Sequence, residues 1–476
     1  MTVNLAGFLE RHAKACGARP AVCDGEAELD YAMLDLRANR LAHALVARGA
    51  VPGDRIAVRL PNGHRYLACL FACARAGLVL APVDRNLVAD EVEHVLRDSG
   101  ATLFLDGAEA VDELAEGAAG APFEARGGGD DPMLLMYTSG TTGRPKGVVL
   151  SHRSVLFTSL NQILGWRLTS HDRALVVAPF HHVGGLVVLG LPCLHAGGTV
   201  RIGLPEPEGV LEELERDAIA AVFLSPFLWR QVAELDGIEA RSLGALRLCA
   251  SGGDPIPTEP LQRLIAAFGA EFTDAYGLTE AASVSTLLDG ADVLRKAGSA
   301  GLPCVHNRLR VLRPDGTEAA PGETGDLVQA GPTVMLEYWQ RPEDTAAALR
   351  DGWLHTGDLA FLDEEGYLYI AGRSKDLVVS AGVKVYPAEV ERVLREHPGV
   401  ADVAVIGIPD DRAGETVAAV VLPRDGATVA PAELLAFCEG RIAEYKRPTR
   451  AFLSDSLPRN ANGKVQKAVL RERYRG

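Results

Sequence analysis

The residues from Thr138 to Gly147 read TSGTTGRPKG, a run of hydroxyl side chains and glycines that follows a predicted strand. Glycines allow backbone N–H groups to close around an anion, and hydroxyls add further hydrogen-bond donors. Lys146 adds a positive charge, so the composition suits a polyphosphate site. The run is not a Walker A loop, because there the lysine is followed by serine or threonine, whereas here Pro145 precedes it and a glycine follows. A flexible solvent loop is the alternative, which ten consecutive specialised residues after a strand disfavour.

Two further segments combine glycines with acidic or aromatic side chains, and each follows a predicted strand. They read SGGDPIP from Ser251 to Pro257 and DAYGLTE from Asp274 to Glu280. Paired glycines allow the chain to approach a flat base closely. A glutamate is a suitable hard ligand for magnesium on substrate phosphates. Taken singly, the tyrosine, threonine and glutamate of the second segment would be a core aromatic, a cap and a solvated acid.

The elements that must position these segments alternate along the chain. Short β-branched runs and amphipathic helical stretches follow one another from about residue 55, a pattern typical of a parallel sheet covered by helices. The pattern predicts helices at 66–76 and 91–97, the second capped by Asp90. It predicts strands at 55–60, 78–83, 101–106, 133–137, 173–178, 220–224, 246–250 and 271–274. Because ligands of open parallel sheets bind outside the carboxyl ends of strands, we expect the loops at Thr138, Pro179, Ser225, Ser251 and Ala275 to converge on one crevice.

The character of the sequence changes beyond about Ala297. Strands at 308–312 and 326–329, with a Pro-Asp-Gly turn between them, predict a small antiparallel subdomain. A turn-rich stretch at 372–376 precedes a final mixed unit, with predicted helices at 387–396 and 431–445 and strands at 400–408 and 416–422. About a hundred residues are enough for a separate small domain. The sequence therefore predicts domains at 1–372 and 377–476, with a hinge at 373–376.

Composition excludes several classes of protein. The chain has 476 residues, of which 47% are hydrophobic and 23% charged, so disorder, collagen and coiled coil are excluded. Its net charge of −15 would repel nucleic acid. We expect no signal peptide and no membrane span, because the apolar windows are interrupted and too short. The eight cysteines show no paired CxxC spacing, which favours reduced thiols in a cytoplasmic protein over a metal or disulfide framework.

The hydroxyl-rich run resembles the phosphate-binding signature of the adenylate-forming superfamily, which includes acyl-CoA synthetases, nonribosomal-peptide adenylation domains and beetle luciferases. Other segments of that family's pattern follow in the expected order, from LDYAML at 29–34 to NGKV at 462–465. The resemblance implies an α/β fold. It has a large N-terminal domain of parallel sheets covered by helices, a small antiparallel β subdomain and a small, mobile α+β C-terminal domain.

The resemblance also implies a nucleotide site. Tyr276 flanks the adenine, Thr279 meets the α-phosphate, and Glu280 binds magnesium together with Thr138. Asp358, in GWLHTGDL, accepts both ribose hydroxyls, and Arg373, in GRSKD, also contacts the nucleotide. The complete implied set of nucleotide-binding residues is Thr138, Ser139, Gly140, Thr141, Thr142, Lys146, Gly252, Gly253, Asp274, Ala275, Tyr276, Gly277, Thr279, Asp358, Arg373 and Lys464.

Lys464 resembles the mobile lysine that reaches from the small domain to the reacting α-phosphate. When a carboxylate attacks a phosphate, two negatively charged groups repel each other, so a preorganised cation lowers the barrier to the reaction. Without the surrounding motifs, this residue would be a solvated tail lysine. Lys375 occupies the family's hinge position, where aspartate is frequent, so lysine there is a departure that other members share.

The segment PFHHVGG, from Pro179 to Gly185, resembles the one in which His182 gates the acyl pocket. His181 beside it leaves the register open by one residue. Amino-acid-activating relatives carry an aspartate here, and a buried ammonium without a counter-charge would be costly. The implied pocket walls are Val183, Phe227, Ser251 and the residues from Ala281 to Val284. They predict a hydrophobic monocarboxylic acid, aliphatic or aryl. Arg230 could instead indicate a dicarboxylic acid, but an arginine on a helix surface is the favoured interpretation.

The segment from Val378 to Glu389 resembles the loop that lines the pantetheine tunnel, where a side chain at Gly382 would obstruct the path. Lys446 and Arg447 are candidates to meet CoA phosphates. We therefore expect an acyl-CoA synthetase that uses ATP, Mg²⁺ and CoA, as a monomer or homodimer. Two alternatives stay open: a ligase that loads an acyl carrier protein, and a catalytically silent nucleotide-binding relative. The second is disfavoured because Lys464, Glu280 and Asp358 are all present.

Overall fold

The computed structural model describes residues 3–25, 27–138, 145–380, 383–410, 413–459 and 463–475. Contacts within the chain divide it into two units. The first comprises Met1–Leu309 and Gln329–Leu354, and the second comprises Arg310–Val328 and His355–Gly476. Residues 310–328 and 355–372, which the sequence analysis assigns to the large domain, belong to the second unit. The hinge at 373–376 stays a prediction.

The strands of the described residues are short, and most hold three to eight residues. In chain order they are β1 (Pro20–Cys23), β2 (Glu28–Asp30), β3 (Arg55–Arg59), β4 (Val79–Pro82), β5 (Leu103–Asp106), β6 (Pro132–Thr138), β7 (Lys146–Ser151), β8 (Arg173–Val176), β9 (Thr199–Ile202), β10 (Ala221–Phe223), β11 (Leu248–Gly252), β12 (Glu271–Leu278), β13 (Ser283–Leu288), β14 (Leu302–Pro303), β15 (Arg308–Leu312), β16 (Gly325–Ala330), β17 (Glu337–Tyr338), β18 (Leu349–Arg350), β19 (Trp353–Leu362), β20 (Leu368–Arg373), β21 (Val378–Ser380), β22 (Val383–Val385), β23 (Val400–Asp410), β24 (Gly414–Pro423) and β25 (Arg450–Leu453).

Helices connect most of the parallel strands. They are α1 (Gly7–Cys16), α2 (Tyr31–Ala47), α3 (His64–Ala76), α4 (Ala89–Ser99), α5 (Ala108–Ala115), α6 (His152–Gly165), α7 (Val183–Gly185), α8 (Leu191–His195), α9 (Pro207–Arg216), α10 (Pro226–Glu234), α11 (Thr258–Phe268), α12 (Pro342–Ala348), α13 (Pro387–Arg395), α14 (Pro431–Phe437) and α15 (Lys467–Arg473). Within the described part of the chain, none of them combines the length and the apolar character needed to cross a bilayer.

The first unit contains a nine-stranded sheet with a parallel centre. Its order is β14, β13, β12, β11, β10, β8, β9, β1, β2. The strands from β12 to β1 in that order run parallel to their neighbours. The residues of β11 are buried almost throughout, as expected when both faces of a sheet are covered. The prediction of an α/β fold with parallel sheets is confirmed.

A second sheet of the first unit has the order β17, β7, β6, β4, β3, β5. Strands β3, β4, β5 and β6 are parallel, whereas β7 returns antiparallel to β6 and places Lys146 opposite Thr138. Helix α6 follows β7 directly. The Ser151 hydroxyl accepts a hydrogen bond from the Ser154 N–H at 3.1 Å, which caps the first turn of α6.

The second unit contains antiparallel strands and a small mixed sheet. Strand β20 pairs antiparallel with β19, and the mixed sheet has the order β22, β21, β24, β23, with β25 parallel to β24. Side chains of β23 alternate between two cores. Val403 and Val405 belong to one core and Ala404 and Ile406 to the other. Such alternation is the period-two pattern of a strand buried on both faces.

Three sequence predictions need correction at element ends. Strand β12 extends to Leu278 instead of ending at Asp274, because β13 pairs antiparallel with its second half. The helix predicted at 431–445 ends at Phe437, since Gly440 adopts the left-handed conformation (φ 71°) that a helix interior excludes. Asp90 is not the cap of α4. The N-cap residue is Val88, and Asp90 lies in the first turn.

Candidate functional site

Four of the predicted loops leave the same edge of the nine-stranded sheet. Strands β8, β10, β11 and β12 are parallel, and their register aligns Val176 with Phe223, Phe223 with Ala250, and Ser251 with Asp274. The carboxyl ends of these strands therefore lie together. Thr138 ends β6, in the other sheet of the first unit. The loops at Pro179 and Ser225 are thus grouped by one sheet with Ser251 and Ala275, which lie within β11 and β12 and not in loops. Thr138 needs a separate connection to this group.

The two glycines after β11 serve different purposes. A Cβ on Gly252 would lie 2.6 Å from the Ala275 carbonyl oxygen, so this glycine permits close approach of the neighbouring strand. Gly253 has a left-handed φ of 100°, and a Cβ there would meet no atom within 4 Å. Gly253 is therefore the glycine that faces open space, where a planar group could approach the backbone.

The chain just after the DAYGLTE segment is strained. Ala282 and Ser283 both adopt positive φ, at 54° and 111°, which is costly for residues with a Cβ. A Cβ on Gly277 would lie 1.5 Å from the Ser283 carbonyl oxygen, so only glycine fits there. Thr279 and Glu280 lie in a short 3₁₀ turn between β12 and this strained pair, and Ala281 in the same turn is fully buried.

The Glu280 carboxylate is held by a tyrosine from a distant part of the first unit. The Tyr338 hydroxyl donates to Glu280 Oε1 at 2.7 Å, and the Met335 N–H donates to the Glu280 carbonyl at 2.8 Å. Tyr338 lies in β17, which pairs with β7 of the other sheet at Val148. The segment from Met335 to Tyr338 therefore joins the end of one sheet to the β6–β7 hairpin of the other.

Lys146 lies in the same group of side chains. Its ammonium is 2.8 Å from Asp344 Oδ1 and 5.6 Å from the centre of the Tyr338 ring. Thr138 lies opposite Lys146 in the hairpin, and its hydroxyl donates to the Lys146 carbonyl at 3.5 Å. Ser139, Gly140, Thr141 and Thr142 lie outside the described residues. The structure thus brings Thr138, Lys146 and Glu280 together through Tyr338.

His182 begins the turn that follows β8. The hydrogen bond from the His182 N–H to the Pro179 carbonyl (3.2 Å) and the one from the Phe180 N–H to Asn62 Oδ1 (2.8 Å) hold the segment. Gly185 is required, because a Cβ there would lie 2.2 Å from the Pro179 carbonyl oxygen. Burial, with a smaller contribution from His181, lowers the pKa of His182 to about 4. The imidazole is therefore neutral at physiological pH.

Residues 186–190 form a π-helical turn directly after this segment. Pro192 cannot donate a backbone hydrogen bond to the carbonyl four residues before it, which interrupts regular helical bonding. Such π-turns are rare and occur frequently at functional sites. All five residues of the turn are buried.

The remaining predicted pocket residues differ in exposure. Ser251 is fully buried, and its hydroxyl has no hydrogen-bond partner among the described residues. Val183 packs partly buried against the core. Phe227 is 38% exposed, near the start of α10, with the Arg230 guanidinium 5.8 Å from its ring centre. Arg230 therefore has an aromatic neighbour on the helix surface.

Asp274 and Tyr276 lie in β12, beside the glycines of β11. The Asp274 carboxylate accepts a hydrogen bond from the Ala275 N–H at 2.9 Å. Burial, reinforced by the negative charge of Asp254, raises the pKa of Asp274 to about 7. Near neutral pH this carboxyl group therefore carries a proton in a large fraction of molecules, and it then has an O–H donor.

The second unit holds the predicted ribose residue. Asp358 and Arg373 face each other across β19 and β20, and Arg373 Nε lies 2.7 Å from Asp358 Oδ1. The carboxylate is nearly inaccessible to solvent, whereas the guanidinium is 37% exposed. The Thr356 hydroxyl fixes the turn before Asp358, because it accepts from the Asp358 N–H at 3.1 Å and donates to the Leu327 carbonyl at 2.9 Å. The ion pair fixes both side chains that the sequence assigns to the nucleotide.

Lys464 and Lys375 lie near each other in the second unit. Burial and the positive charges of Arg373, Lys464 and Arg471 lower the pKa of Lys375, against the opposing effect of Asp376. Arg471 lies 2.6 Å from Asp376. Four cationic side chains are thus gathered around one turn, and two of them, Arg373 and Arg471, are paired with Asp358 and Asp376.

Arg459 anchors the chain around Lys464. Its guanidinium forms an ion pair with Asp402 and donates to the Gly463 carbonyl, and a β-bridge joins Arg459 to Val465. Gly382 lies outside the described residues. Of the residues proposed for CoA, Lys446 forms an ion pair with Glu389, and Arg447 Nε donates to the Ile442 carbonyl at 3.4 Å.

Sequence patterns do not identify Tyr338, Arg459 or Asp84, whose Oδ2 lies 3.3 Å from His181 Nε2. Each acts on a side chain far away in sequence, such as Glu280, 58 residues from Tyr338. The only local signal for Tyr338 is an aromatic pair, Tyr338 and Trp339, before Arg341 and Pro342. That pair predicts no partner, because aromatic side chains are equally frequent in cores.

Two family models match this chain. One, described as AMP-binding enzyme, matches residues 9–339, and the other, described as AMP-binding enzyme C-terminal domain, matches residues 389–464. A feruloyl-CoA synthase of Amycolatopsis sp is 41% identical over 487 residues, covering 99% of this chain and 99% of that protein. A fatty acid–[acyl-carrier-protein] ligase, ScoC of Streptomyces coeruleorubidus, is 38% identical, covering 98% of this chain and 95% of that protein.

Among solved structures, ATP-bound MatB from Rhodopseudomonas palustris is similar to this chain over its full length. The TM-score is 0.93 at 34% sequence identity, covering 100% of this chain and 99% of that one. The predicted resemblance to the adenylate-forming superfamily is confirmed by these matches.

The raised pKa of Asp274 predicts a pH-dependent stability. Between about pH 5 and 7 the unfolded chain has released this proton and the folded chain retains part of it, so the contribution of Asp274 to stability falls as pH rises, by at most about 1.4 kcal/mol per pH unit. Asp274→Asn has no proton to release. From pH 5 to 7 the free energy of unfolding of D274N should therefore increase relative to that of the wild type, as measured by urea unfolding at each pH. The exposed Asp236→Asn is the control, and parallel pH profiles for D274N and wild type would contradict the assignment.

Proposed function

We propose an activity for this chain, which belongs to the family of AMP-binding enzymes: it is an ATP-dependent carboxylic acid:CoA ligase. In the first step a carboxylate oxygen attacks the α-phosphorus of ATP, and pyrophosphate leaves. In the second step the CoA sulfur attacks the acyl carbon, AMP leaves with the bridging oxygen, and the thiol proton is released. The products are an acyl-CoA thioester, AMP and pyrophosphate.

The contact between Tyr338 and Glu280 carries this proposal. It holds a carboxylate beside the base of the hydroxyl-rich hairpin, where Thr138 and Lys146 lie. An anionic side chain next to a polyphosphate-type loop would repel the ligand unless a cation joined them. The combination therefore favours a metal-bound polyphosphate over a simple anion.

The donor set fits Mg²⁺. Mg²⁺ prefers hard oxygen ligands and is usually bound by one or two carboxylates together with substrate phosphates. Glu280 offers a carboxylate and Thr138 a hydroxyl. When bound, Mg²⁺ supplies charge neutralisation on the phosphates. Tyr338 would hold the carboxylate in one orientation, and the Asp344 carboxylate would hold Lys146.

Residues of the second unit supply the remaining roles in this proposal. Asp358 accepts hydrogen bonds from ribose hydroxyls, and Arg373 orients it through their ion pair. The Lys464 ammonium stabilises the negative charge that develops on the α-phosphate oxygens. The proposal requires a domain rotation about Lys375. This residue lies in a turn that the ion pair between Asp376 and Arg471 stabilises.

The acid we propose is a hydrophobic monocarboxylic acid, aliphatic or aryl. The segment from Pro179 to Gly185 contains no aspartate to pair with an ammonium. His182 is neutral at physiological pH, and the neighbouring Val183 is apolar and only partly buried. A similar relative is named for feruloyl-CoA synthesis, which favours an aryl acid among the first compounds to assay.

A carrier protein is the second candidate acceptor. The relative named as a fatty acid–[acyl-carrier-protein] ligase is 38% identical to this chain. Both acceptors present the same pantetheine thiol, so they share the chemistry of the second step.

Pyrophosphate release against a panel of acids tests the proposed activity. The panel holds aliphatic acids of graded length, aryl acids including ferulate, amino acids and dicarboxylic acids, each with ATP and Mg²⁺. We expect release with hydrophobic monocarboxylic acids, followed by thioester formation with CoA. A comparison with a holo acyl carrier protein then identifies the acceptor. Release with amino acids alone would contradict the substrate class, and no release with any acid would contradict the activity.

Lys464→Ala should separate the two half-reactions. Loss of one preorganised charge at a transition state costs about 100- to 1,000-fold in rate, so adenylate formation should fall by that factor. Thioester formation from a supplied acyl adenylate should stay close to the wild-type rate. Lys14→Ala, which removes a lysine from an exposed ion pair, serves as the control. Equal loss in both half-reactions would refute the role of Lys464.

Tyr338→Phe should raise the Mg²⁺ requirement of adenylation. The variant keeps the ring beside Lys146 and removes only the hydroxyl that holds Glu280. A hydrogen bond to a charged group contributes about 1.5–3 kcal/mol, so the Mg²⁺ concentration for half-maximal rate should rise roughly 10-fold. Tyr369→Phe, at a tyrosine stacked on Phe361 in the second unit, is the matched control. An unchanged Mg²⁺ titration with a lower maximal rate would show that Tyr338 does not act through the metal carboxylate.

A further inference from the structure

We propose that Asp84, His181 and His182 form a binding site for a divalent transition-metal ion, with Zn²⁺ the best match. We further propose that the bound ion withdraws His182 from the acyl pocket; this second part rests on the proposed function. The three side chains come from two segments of the first unit, about a hundred residues apart, and each can offer one ligand atom within 4.8 Å of the others.

The closest pair already has the spacing of two zinc ligands. His181 Nε2 lies 3.3 Å from Asp84 Oδ2. Zn²⁺ binds imidazole nitrogen and carboxylate oxygen at about 2.0–2.2 Å, so two ligands of a tetrahedral ion are separated by about 3.4 Å. His181 Nε2 is buried, and Asp84 Oδ2 is its partner within the described part of the chain. A metal ion between these two atoms would replace their direct contact and bind both as ligands.

The surrounding structure holds the three ligands in place. Asp84 follows β4, and its Oδ1 accepts a hydrogen bond from the Asn86 N–H at 2.9 Å, which leaves Oδ2 turned to His181. The two imidazole rings have centroids 4.4 Å apart and are tilted by 53°. Asn62 fixes the backbone just before them through Phe180 and Ala178. The three ligand atoms already lie within 4.8 Å of one another, so the spacing of about 3.4 Å at a bound ion requires only small side-chain movements.

The donor set selects the metal. Two imidazoles and one carboxylate suit Zn²⁺ and its neighbours, whereas Mg²⁺ prefers an all-oxygen shell. Three protein ligands leave a coordination position for water or another ligand. The ion that accompanies ATP should therefore not compete effectively for this site.

Isothermal titration calorimetry with ZnCl₂ on the full-length, chelator-treated protein tests the site without any substrate. We expect one Zn²⁺ per chain. Asp84→Asn and His181→Gln each remove one ligand, so each variant should bind Zn²⁺ at least about 10-fold more weakly. Changes to residues that only orient metal ligands already weaken binding by about 10- to 100-fold. His171→Gln, at an exposed histidine of the same unit, should bind like the wild type. Circular dichroism verifies that each variant is folded. Absence of binding, or equal binding by all variants, would overturn the metal site.

Adenylation assays test the coupling to His182. Zn²⁺ added in the presence of saturating Mg²⁺ should inhibit the wild type, and a higher concentration of acid should relieve the inhibition. Asp84→Asn, compared with its own rate without Zn²⁺, should require at least about 10-fold more Zn²⁺ for the same inhibition. Zn²⁺ that binds at Asp84 without affecting adenylation would overturn the coupling. Because calorimetry uses no substrate, failure of the metal site is distinguishable from failure of the proposed ligase activity.

Discussion

The hydrogen bond between the Tyr338 hydroxyl and the Glu280 carboxylate is the contact on which the first unit's site depends. It joins a turn at the edge of the nine-stranded sheet to a strand that pairs with β7 of the other sheet. Two loops that follow strands of different sheets have no shared register, so a side-chain contact must set their relative position. Lys146 and Asp344 add a second connection, since the Lys146 ammonium lies against both Asp344 and the Tyr338 ring. The same contacts hold the carboxylate that we propose for Mg²⁺.

Charge organises the second unit in a different way. Asp358 and Arg373 neutralise each other across a strand pair, whereas Lys375, Lys464 and Arg471 lie around one turn. Asp376, which pairs with Arg471, offsets only part of the repulsion among these cations. These positive charges would attract a phosphate, which is consistent with the role that we propose for Lys464. The unit therefore carries a fixed ion pair beside a group of cationic side chains.

Local structure was largely predictable, and the failures have identifiable causes. The β-branched runs predicted β3, β8 and β10 within two residues at each end, since parallel strands buried on both faces have continuous apolar sequences. Strand β12 was predicted too short because its second half contains Gly277 and owes its conformation to pairing with β13. The helix at 431–445 was predicted too long because amphipathic spacing continues past Gly440, whose left-handed φ ends it. The strain at Ala282 and Ser283 has no sequence signal, because it is imposed by Gly277 and the neighbouring strand.

The sequence by itself determined the class of fold, the family and the identity of the candidate chemical groups. Periodicity and the run from Thr138 to Gly147 are patterns of residues that are close together in the chain, so they can be recognised from the sequence. Composition is given by the sequence directly. Only the tertiary structure decided which groups act together. It paired Glu280 with Tyr338, gathered Lys464 with Lys375, and set Asp84 beside His181. These contacts join residues from 58 to 97 positions apart. Distances of that kind follow from the crossing of strands and helices in space, which local propensity does not encode.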